Sequence, residues 1–193
     1  MQVLKYPHPV LFHKSKPLRR VDAELARWIE EMFELMYEHR GIGLAANQVG
    51  LPYRLMVVNL KSDPAEKDDE HVFINPVVVR RSGSAEAEEG CLSFPDVNAP
   101  VTRPERVQVT AFNLRGEQVD YNLGGLFARA VQHEVDHLDG ILFIDRLSPA
   151  ALLSIREELE QLQADYTAGR LGGTLPTDEE VAAELASLER VRT

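Results

Sequence analysis

QHEVDHLDG, residues 132–140, places two histidines four positions apart, with a glutamate directly after the first. On an α-helix this spacing turns His133 and His137 towards the same side, as two ligands of one metal ion require. Glu134 then lies where a carboxylate can take a proton from water that the ion activates. The stretch predicts a helix that carries two of the three or four protein ligands of a metal site.

The predicted helix runs through LGGLFARAVQHEVDHLDG, residues 123–140, from two glycines to the Asp-Gly pair at its end. Leu126 and Ala130 fall on the same stripe as the two histidines, so the ligands continue an apolar wall that can line a pocket. Other apolar positions fall on a different side and are free to anchor the helix in the core. The spacing leaves open whether Gln132 and Asp136 support the ligands or point to solvent.

A further protein ligand is missing from this helix. In one class of zinc protease a third histidine follows the motif, but Phe143 occupies that position here and cannot bind a metal. Another class uses a glutamate from a following helix, which makes Glu157 and Glu158 candidates, although both lie in the polar run REELEQLQ. The remaining candidate is Cys91 in EEGCLSFPD, because a thiolate and two imidazoles leave an open position for water.

The rest of the chain alternates between helices and strands. Apolar residues at helical spacing predict a helix over residues 22–41, with Asp22 at its N-cap and Gly41 at its end. RLMVVNL and HVFINPVVV predict strands, and RVQVTAFNL with QVDYNL predicts a β-hairpin. Residues 80–90, RRSGSAEAEEG, are expected to form a polar loop. This order predicts an α+β fold with mostly antiparallel sheets around the central metal-binding helix.

The length of 193 residues suits one well-buried domain with a short appendage. We expect a single catalytic domain over residues 1–167 and a C-terminal extension over residues 168–193. A helix should start at Ser148-Pro149 and end near Tyr166. After a glycine-rich linker, Thr177 and Glu180 form a capping box, which predicts one more short, acidic helix.

Charge and composition exclude several classes of protein. A net charge of −10 gives no basic field that would draw phosphate backbones, so nucleic acid is not expected as the main ligand. No stretch has the apolar length of a membrane helix, and the N-terminus has no signal-peptide core. The single cysteine excludes an intrachain disulfide and fits a reducing compartment. These features predict a cytoplasmic protein with no membrane partner.

Three segments together resemble the peptide deformylase family. The GxGxAAxQ loop of that family is matched by residues 41–48, its EGCLS loop by residues 89–93, and its QHExDHLxG helix by residues 132–140. The three motifs stand in the family's order along the chain. The likeness extends from the N-terminal residues 3–7 to the helix start at Ser148-Pro149, which is most of the sequence.

The resemblance implies a bacterial-type enzyme that removes the formyl group from N-formylmethionine at the start of newly made polypeptides. Cys91, His133 and His137 would hold one divalent metal ion, natively iron(II), with zinc, nickel or cobalt as substitutes. Hydroxide on that ion would attack the formyl carbon, and Glu134 would serve as general base and then as general acid.

The same resemblance assigns roles to the other motif positions. The Gln48 side chain and the Leu92 N–H would stabilise the oxyanion of the tetrahedral intermediate. Ile42, Leu126 and Ala130 would receive the methionine side chain. Gly43 and Gly90 would bind the peptide backbone in an extended conformation.

Two features depart from the family pattern. Arg129 stands where many relatives carry an apolar pocket residue, and we expect it to extend outward along its aliphatic stem or to contact the substrate backbone. The tail beyond about Thr167 is acidic, whereas docking of the family's C-terminal helix on the ribosome would favour basic residues. A transient ribosome contact is therefore not expected to involve this tail.

Overall fold

The computed structural model describes all of residues 1–193, which form five α-helices and seven strands. In chain order these are α1 (Ala23–Glu38), β1 (Gly43–Ala45), β2 (Leu55–Val58), β3 (His71–Ser82), β4 (Ala85–Cys91), β5 (Phe94–Arg103), β6 (Arg106–Phe112), β7 (Gln118–Gly124), α2 (Gly125–Leu138), α3 (Pro149–Ser154), α4 (Arg156–Leu171) and α5 (Asp178–Arg192). Turns of 3-10 helix lie at Pro9–Phe12, Ala46–Val49, Lys67–Asp69 and Phe143–Arg146. None of the helices combines the length and apolar character needed to cross a membrane.

The strands form a five-stranded sheet in the order β1-β2-β3-β6-β7 and a separate β4-β5 pair, and every neighbouring pair is antiparallel. Helix α2 packs against all five strands of the larger sheet. The predicted α+β class, with antiparallel sheets around the motif helix, is therefore confirmed. The predicted hairpin is also confirmed, with Phe112 of β6 paired with Gln118 of β7.

Strand β2 explains how two helices share this sheet. Successive side chains of a strand point to opposite faces, so all four β2 residues can be buried between two layers. Leu55 and Val57 pack in the core cluster that contains the apolar face of α1. Met56 and Val58 pack in the cluster that contains Val131 and other apolar residues of α2. Helix α1 starts as predicted, with the Asp22 carboxylate accepting a hydrogen bond from the N–H three residues later.

The prediction of a polar loop over residues 80–90 was wrong. Residues 80–82 continue β3, and Ala85 to Cys91 form β4, which pairs with β5. Alanine and glutamate favour strands weakly, so composition hid this element. Long-range pairing stabilises it instead, because a strand of this kind depends on its cross-strand neighbours more than on local propensity. The consequence is that Cys91 ends a strand.

The structure of residues 149–193 differs in detail from the prediction of a single helix from Ser148-Pro149 to about Tyr166. The helix that starts at Pro149 is divided at Ile155 into α3 and α4, and α4 continues to Leu171. The capping box of Thr177 and Glu180 is present and starts α5, which is 15 residues long. Helix α5 packs its apolar side chains against Val10 in the N-terminal segment.

Candidate metal centre

Helix α2 places its motif in the interior of the protein. All eleven residues from Ala128 to Leu138 are buried, including the polar ones. The helix ends where Gly140 adopts a φ of 74°, a left-handed conformation that favours glycine. A Cβ at this position would lie 2.5 Å from the Phe12 carbonyl oxygen, so only glycine allows the N-terminal segment to pass so close to the end of α2.

Three side chains meet at the centre of the molecule with potential metal-binding atoms. The ligand atoms of Cys91, His133 and His137 all lie within 4.8 Å of one another. The Cys91 Sγ is 3.2 Å from His137 Nε2. The alternative ligands Glu157 and Glu158 are exposed on α4 and belong to no such group. The structure therefore favours the cysteine as the third ligand.

Phe143 marks the place where a third histidine would stand in the protease motif. Its buried ring lies 6.2 Å from the His133 ring and 5.1 Å from that of Phe94, with centroids as reference points. Phe94 begins β5, directly after the loop that carries Cys91. The apolar Phe143 thus occupies the position of the missing histidine. The Cys91 thiol instead reaches the two histidines from the end of β4.

Glu89 orients the first histidine. Its Oε2 lies 3.0 Å from His133 Nδ1, which leaves Nε2 of that ring as the atom available to a metal. Arg103 donates two hydrogen bonds to the same carboxylate, at 2.6 and 2.9 Å. Burial would raise the pKa of Glu89, but the hydrogen bonds from His133 and Arg103 outweigh burial and lower this pKa to about 2. Glu89 is therefore ionised near neutral pH.

Arg129 does not extend outward, so one of its two expected placements was wrong; the other, contact with the substrate backbone, stays a prediction. Its guanidinium lies 2.6 Å from the Glu89 carboxylate and donates to the main-chain carbonyls of Val101 and Ala85. Only 9% of the residue is exposed. Because Glu89 and Ala85 lie in β4 and Val101 lies in β5, Arg129 attaches helix α2 to both strands of the smaller sheet.

Gln132 and Asp136 both make hydrogen bonds within the protein. Asp136 accepts hydrogen bonds from Arg103 at 2.7 Å and from Arg146 at 2.7 and 3.1 Å. Gln132 donates to the carbonyl of Pro104, at the end of β5. Neither side chain points to solvent, and both fix α2 against its surroundings.

Glu134 is buried beside the candidate ligands His133 and His137. Its Oε2 is buried and has no hydrogen-bond partner in the protein. Burial raises the pKa of Glu134 to about 7, in the range that suits an acid–base group at neutral pH. A Cβ on Gly43 would lie 2.6 Å from Oε1 of this carboxylate. Glycine at position 43 is therefore what allows β1 to pass this close to Glu134.

Gln48 and Leu92 present hydrogen-bond donors near the sulfur. The Gln48 side-chain amide is buried, its Oε1 accepts from the Ala45 N–H at 2.8 Å, and its Nε2 is 3.2 Å from Ser93 Oγ and 3.5 Å from Cys91 Sγ. The Leu92 N–H donates to no carbonyl of the protein. These two groups flank Cys91 from different segments of the chain.

A cleft of about 550 Å³ opens over this centre. Of the eleven site residues predicted from the sequence, ten line the cleft: Ile42, Gly43, Gln48, Gly90, Cys91, Leu92, Leu126, Ala130, His133 and Glu134. His137 lies beneath them, fully buried, and burial lowers its pKa well below the usual value. The ring of His137 is thus neutral, which is the form that binds metals.

Comparisons with known proteins agree with this geometry. The family model for polypeptide deformylase matches residues 1–152 of the chain. The chain belongs to the polypeptide deformylase family. Enzymes of this family remove the formyl group from N-formylmethionine at the start of nascent peptides, and this chain is such an enzyme.

Individual deformylases are similar over nearly the whole chain. The peptide deformylase of Rhodopirellula baltica is 42% identical, and the alignment covers 100% of this chain and 96% of that protein. A peptide deformylase from Neisseria meningitidis is 45% identical over 84% of this chain and 96% of its own. The crystal structure of Arabidopsis thaliana peptide deformylase 1B with an inhibitor superposes with a TM-score of 0.84, at 42% identity, covering 92% of this chain and 97% of that one.

The residues fit the metal that the deformylase family implies. Cys91, His133 and His137 form a possible metal-binding site with one soft sulfur and two imidazole nitrogens, a donor set that suits first-row divalent ions. Glu134 lines the same cleft, with a buried oxygen that lacks a partner in the protein. A buried polar atom of this kind is expected to face a bound group.

Two features of this deformylase site were missed by reasoning from the sequence. The sequence motifs predict no role for Glu89 beyond its place in EGCLS, and none for its partner Arg103. Lys5 also lines the cleft, and its ammonium group donates to the Leu92 carbonyl at 2.7 Å. An acid next to a candidate ligand is a usable signal for Glu89, because metal-bound histidines commonly donate to a carboxylate. Nothing local in the sequence identifies Lys5.

Proposed function

We propose that Cys91, His133 and His137 are the three protein ligands of one divalent metal ion, and that Glu134 is the proton carrier of the deformylation reaction. The observation that carries this proposal is the meeting of the three ligand atoms within 4.8 Å beside a buried, unpartnered carboxylate oxygen. The bound cation supplies Lewis acidity, which lowers the pKa of a water molecule and polarises a carbonyl oxygen.

Glu134 would act on both sides of the hydrolysis. Its carboxylate takes a proton from the attacking water, whose oxygen bonds to the formyl carbon, and returns the proton to the nitrogen as the carbon–nitrogen bond breaks. Formate and the free amino terminus are the products. A pKa of about 7 lets this one group accept and donate a proton near neutral pH.

Gln48 and Leu92 would stabilise the oxyanion that forms on the formyl oxygen. Gln48 Nε2 is held by the bond that its own Oε1 accepts from Ala45, so the donor is oriented before the substrate arrives. The Leu92 N–H has no carbonyl to satisfy it within the protein, as expected of a donor reserved for a ligand. Removal of one such donor typically costs about 10²- to 10³-fold in kcat.

The cleft would hold the substrate as an extended peptide. Ile42, Leu126 and Ala130 line it and would surround the methionine side chain. Leu126 is 54% exposed where it lines the cleft, so a bound methionine side chain would cover apolar surface there. Gly43 and Gly90 line the cleft from β1 and β4, and their backbone groups would bind the extended peptide.

Iron(II) is our proposal for the native ion, by the deformylase resemblance. Thiolate and imidazole ligands also bind zinc, nickel and cobalt, so the donor set does not select among these ions. Metal analysis of protein purified without oxygen, beside formate release after reloading with each ion, distinguishes them. Iron as the minor metal in that preparation, with full activity from zinc, would contradict the assignment.

The decisive experiment replaces the proton carrier and leaves the ligands in place. Glu134→Gln should lower kcat for formate release from formyl-Met peptides by about 10³-fold or more while the metal content stays the same. Glu158→Gln is the matched control, since Glu158 is exposed on α4; it should leave both metal and turnover unchanged. Full turnover in Glu134→Gln would refute this mechanism.

We also propose where the enzyme acts and how its tail is used. A substrate of nascent formylated chains would be met in the cytoplasm, and residues 1–167 would be the catalytic domain. In the extension, residues 168–193, acids outnumber basic residues and Arg192 is buried. A ribosome contact would therefore use another surface. Truncation before Gly172 should leave co-sedimentation with ribosomes unchanged, and loss of binding would contradict this.

A further inference from the structure

Three consecutive residues near the N-terminus contact both segments that carry the proposed oxyanion donors. The Leu4 N–H donates to the Gln48 carbonyl at 2.8 Å, and the Tyr6 N–H donates to the Ser93 carbonyl at 2.9 Å. Between them, Lys5 Nζ donates to the Leu92 carbonyl at 2.7 Å. The tripeptide therefore connects the 3-10 turn that carries Gln48 to the turn after β4.

Lys5 is the one member of this tripeptide whose side chain makes the connection. Its ammonium group is partly buried and donates to the Leu92 carbonyl. Lys5 also lines the cleft and forms no salt bridge. A hydrogen bond from a charged donor is about twice as strong as a neutral one. Leu92 is thus held between Cys91 on its N-terminal side and Lys5 at its own carbonyl.

We propose that Lys5 is a positioning residue for deformylation: by fixing the Leu92 carbonyl it restricts the Leu92 backbone, and with it the orientation of the Leu92 N–H relative to the Gln48 amide. This inference rests on the proposed oxyanion role of those two donors. Because oxyanion donors act on charge that develops only in the transition state, a misdirected donor lowers kcat and leaves substrate binding unchanged. Loss of the Lys5 contact should therefore lower kcat by about 10-fold. This is less than the ~10²- to 10³-fold loss expected when an oxyanion donor itself is removed.

The test compares two lysine substitutions that change the charge equally. Lys5→Met keeps the length and apolar stem of the side chain but removes the donor, and Lys14→Met makes the same change at an exposed lysine. Formate release should show a lower kcat and an unchanged KM for Lys5→Met only. Amide hydrogen exchange, measured without substrate, should accelerate in peptides covering residues 89–95 of that variant. Lys5→Arg, which retains a cationic donor, should recover most of kcat.

Several results would overturn the proposal. An unchanged kcat in Lys5→Met would do so, and so would a rise in KM alone, which would make Lys5 a substrate-binding group. Equal loss in Lys5→Met and Lys5→Arg would also contradict it. If Lys5→Met does not fold, Lys5→Leu, which also lacks a donor, replaces it under the same criteria. Failure of the proposed oxyanion role looks different: Gln48→Leu would then keep the wild-type kcat, whereas failure of the Lys5 inference leaves Gln48→Leu impaired.

Discussion

Helices α2 and α5 have nearly the same length, 14 and 15 residues, but α2 buries its charged residues, whereas α5 exposes most of its own. In α2 the charged and polar groups are inside, and eleven consecutive residues are buried. In α5 the buried residues are Val181, Leu185 and Arg192, while the acids other than the half-buried Glu189 are exposed. The first helix carries two residues of the candidate metal site, and the second attaches the C-terminus to the N-terminal segment.

The difference shows what a buried site requires of the rest of the chain. A buried charge is strongly unfavourable unless a partner of opposite charge and hydrogen bonds compensate it. The partners of α2 come from three other elements: Glu89 from β4, Arg103 from β5, and Arg146 from the 3-10 turn after the helix. Helix α5 needs one such partner set, at Arg192. Substitutions that remove these partners should therefore have unequal effects.

Removal of Glu89 should have the largest effect on stability. Glu89→Gln leaves the buried cations Arg103 and Arg129 without their shared carboxylate, and breaking a buried pair in this way costs about 3–5 kcal/mol. Urea unfolding should show the loss, and metal affinity should fall because His133 loses its orienting partner. Glu88→Gln, on the exposed neighbour, is the control and should change neither quantity.

The lowered pKa of Glu89 predicts how the stability of the protein responds to acid. The pKa of Glu89 is lowered from 4.5 to about 2 in the folded state, so its contribution to stability is present above pH 4.5 and is lost as the pH falls towards 2. By the shift, that contribution is on the order of 3 kcal/mol. Unfolding free energy measured against pH should fall across this window in the wild type, and more shallowly in Glu89→Gln. Parallel curves for the two proteins would show that other carboxylates control acid unfolding.

Arg192 should matter for stability and hardly at all for turnover. Its guanidinium contacts Asp22 and Glu24 at the start of α1 and stacks over the Trp28 ring, 4.6 Å from the ring centroid. Arg192→Met should destabilise the protein by about 1–2 kcal/mol through lost stacking. Its kcat should equal that of the wild type, since no α5 residue lines the cleft. Arg190→Met, at an exposed position, should leave the melting temperature unchanged.

The contrast between the helices also explains which parts the sequence could predict. Periodicity identified α1 and α2, and motif spacing identified His133 and His137 as two candidate ligands, because these signals lie within short stretches. Strand β4 was missed because its stability comes from pairing with β5, residues that composition does not connect to it. Arg129 was misjudged for the same reason: its partners Glu89 and Val101 lie 40 and 28 positions away. Long-range compensation of buried charge leaves no local pattern.

The N-cap of α5 offers the smallest and most local test of the comparison. Thr177 Oγ1 accepts from the Glu180 N–H at 3.2 Å and closes the capping box at the start of the helix. Thr177→Ala removes an N-cap that is typically worth about 1 kcal/mol, whereas Ser187→Ala changes an exposed position within the same helix. If α5 unfolds together with the domain, urea unfolding of Thr177→Ala should shift in one transition and Ser187→Ala should not shift. A separate early transition in Thr177→Ala would instead show that α5 detaches alone, with its Arg192 contacts too weak to couple it to α1.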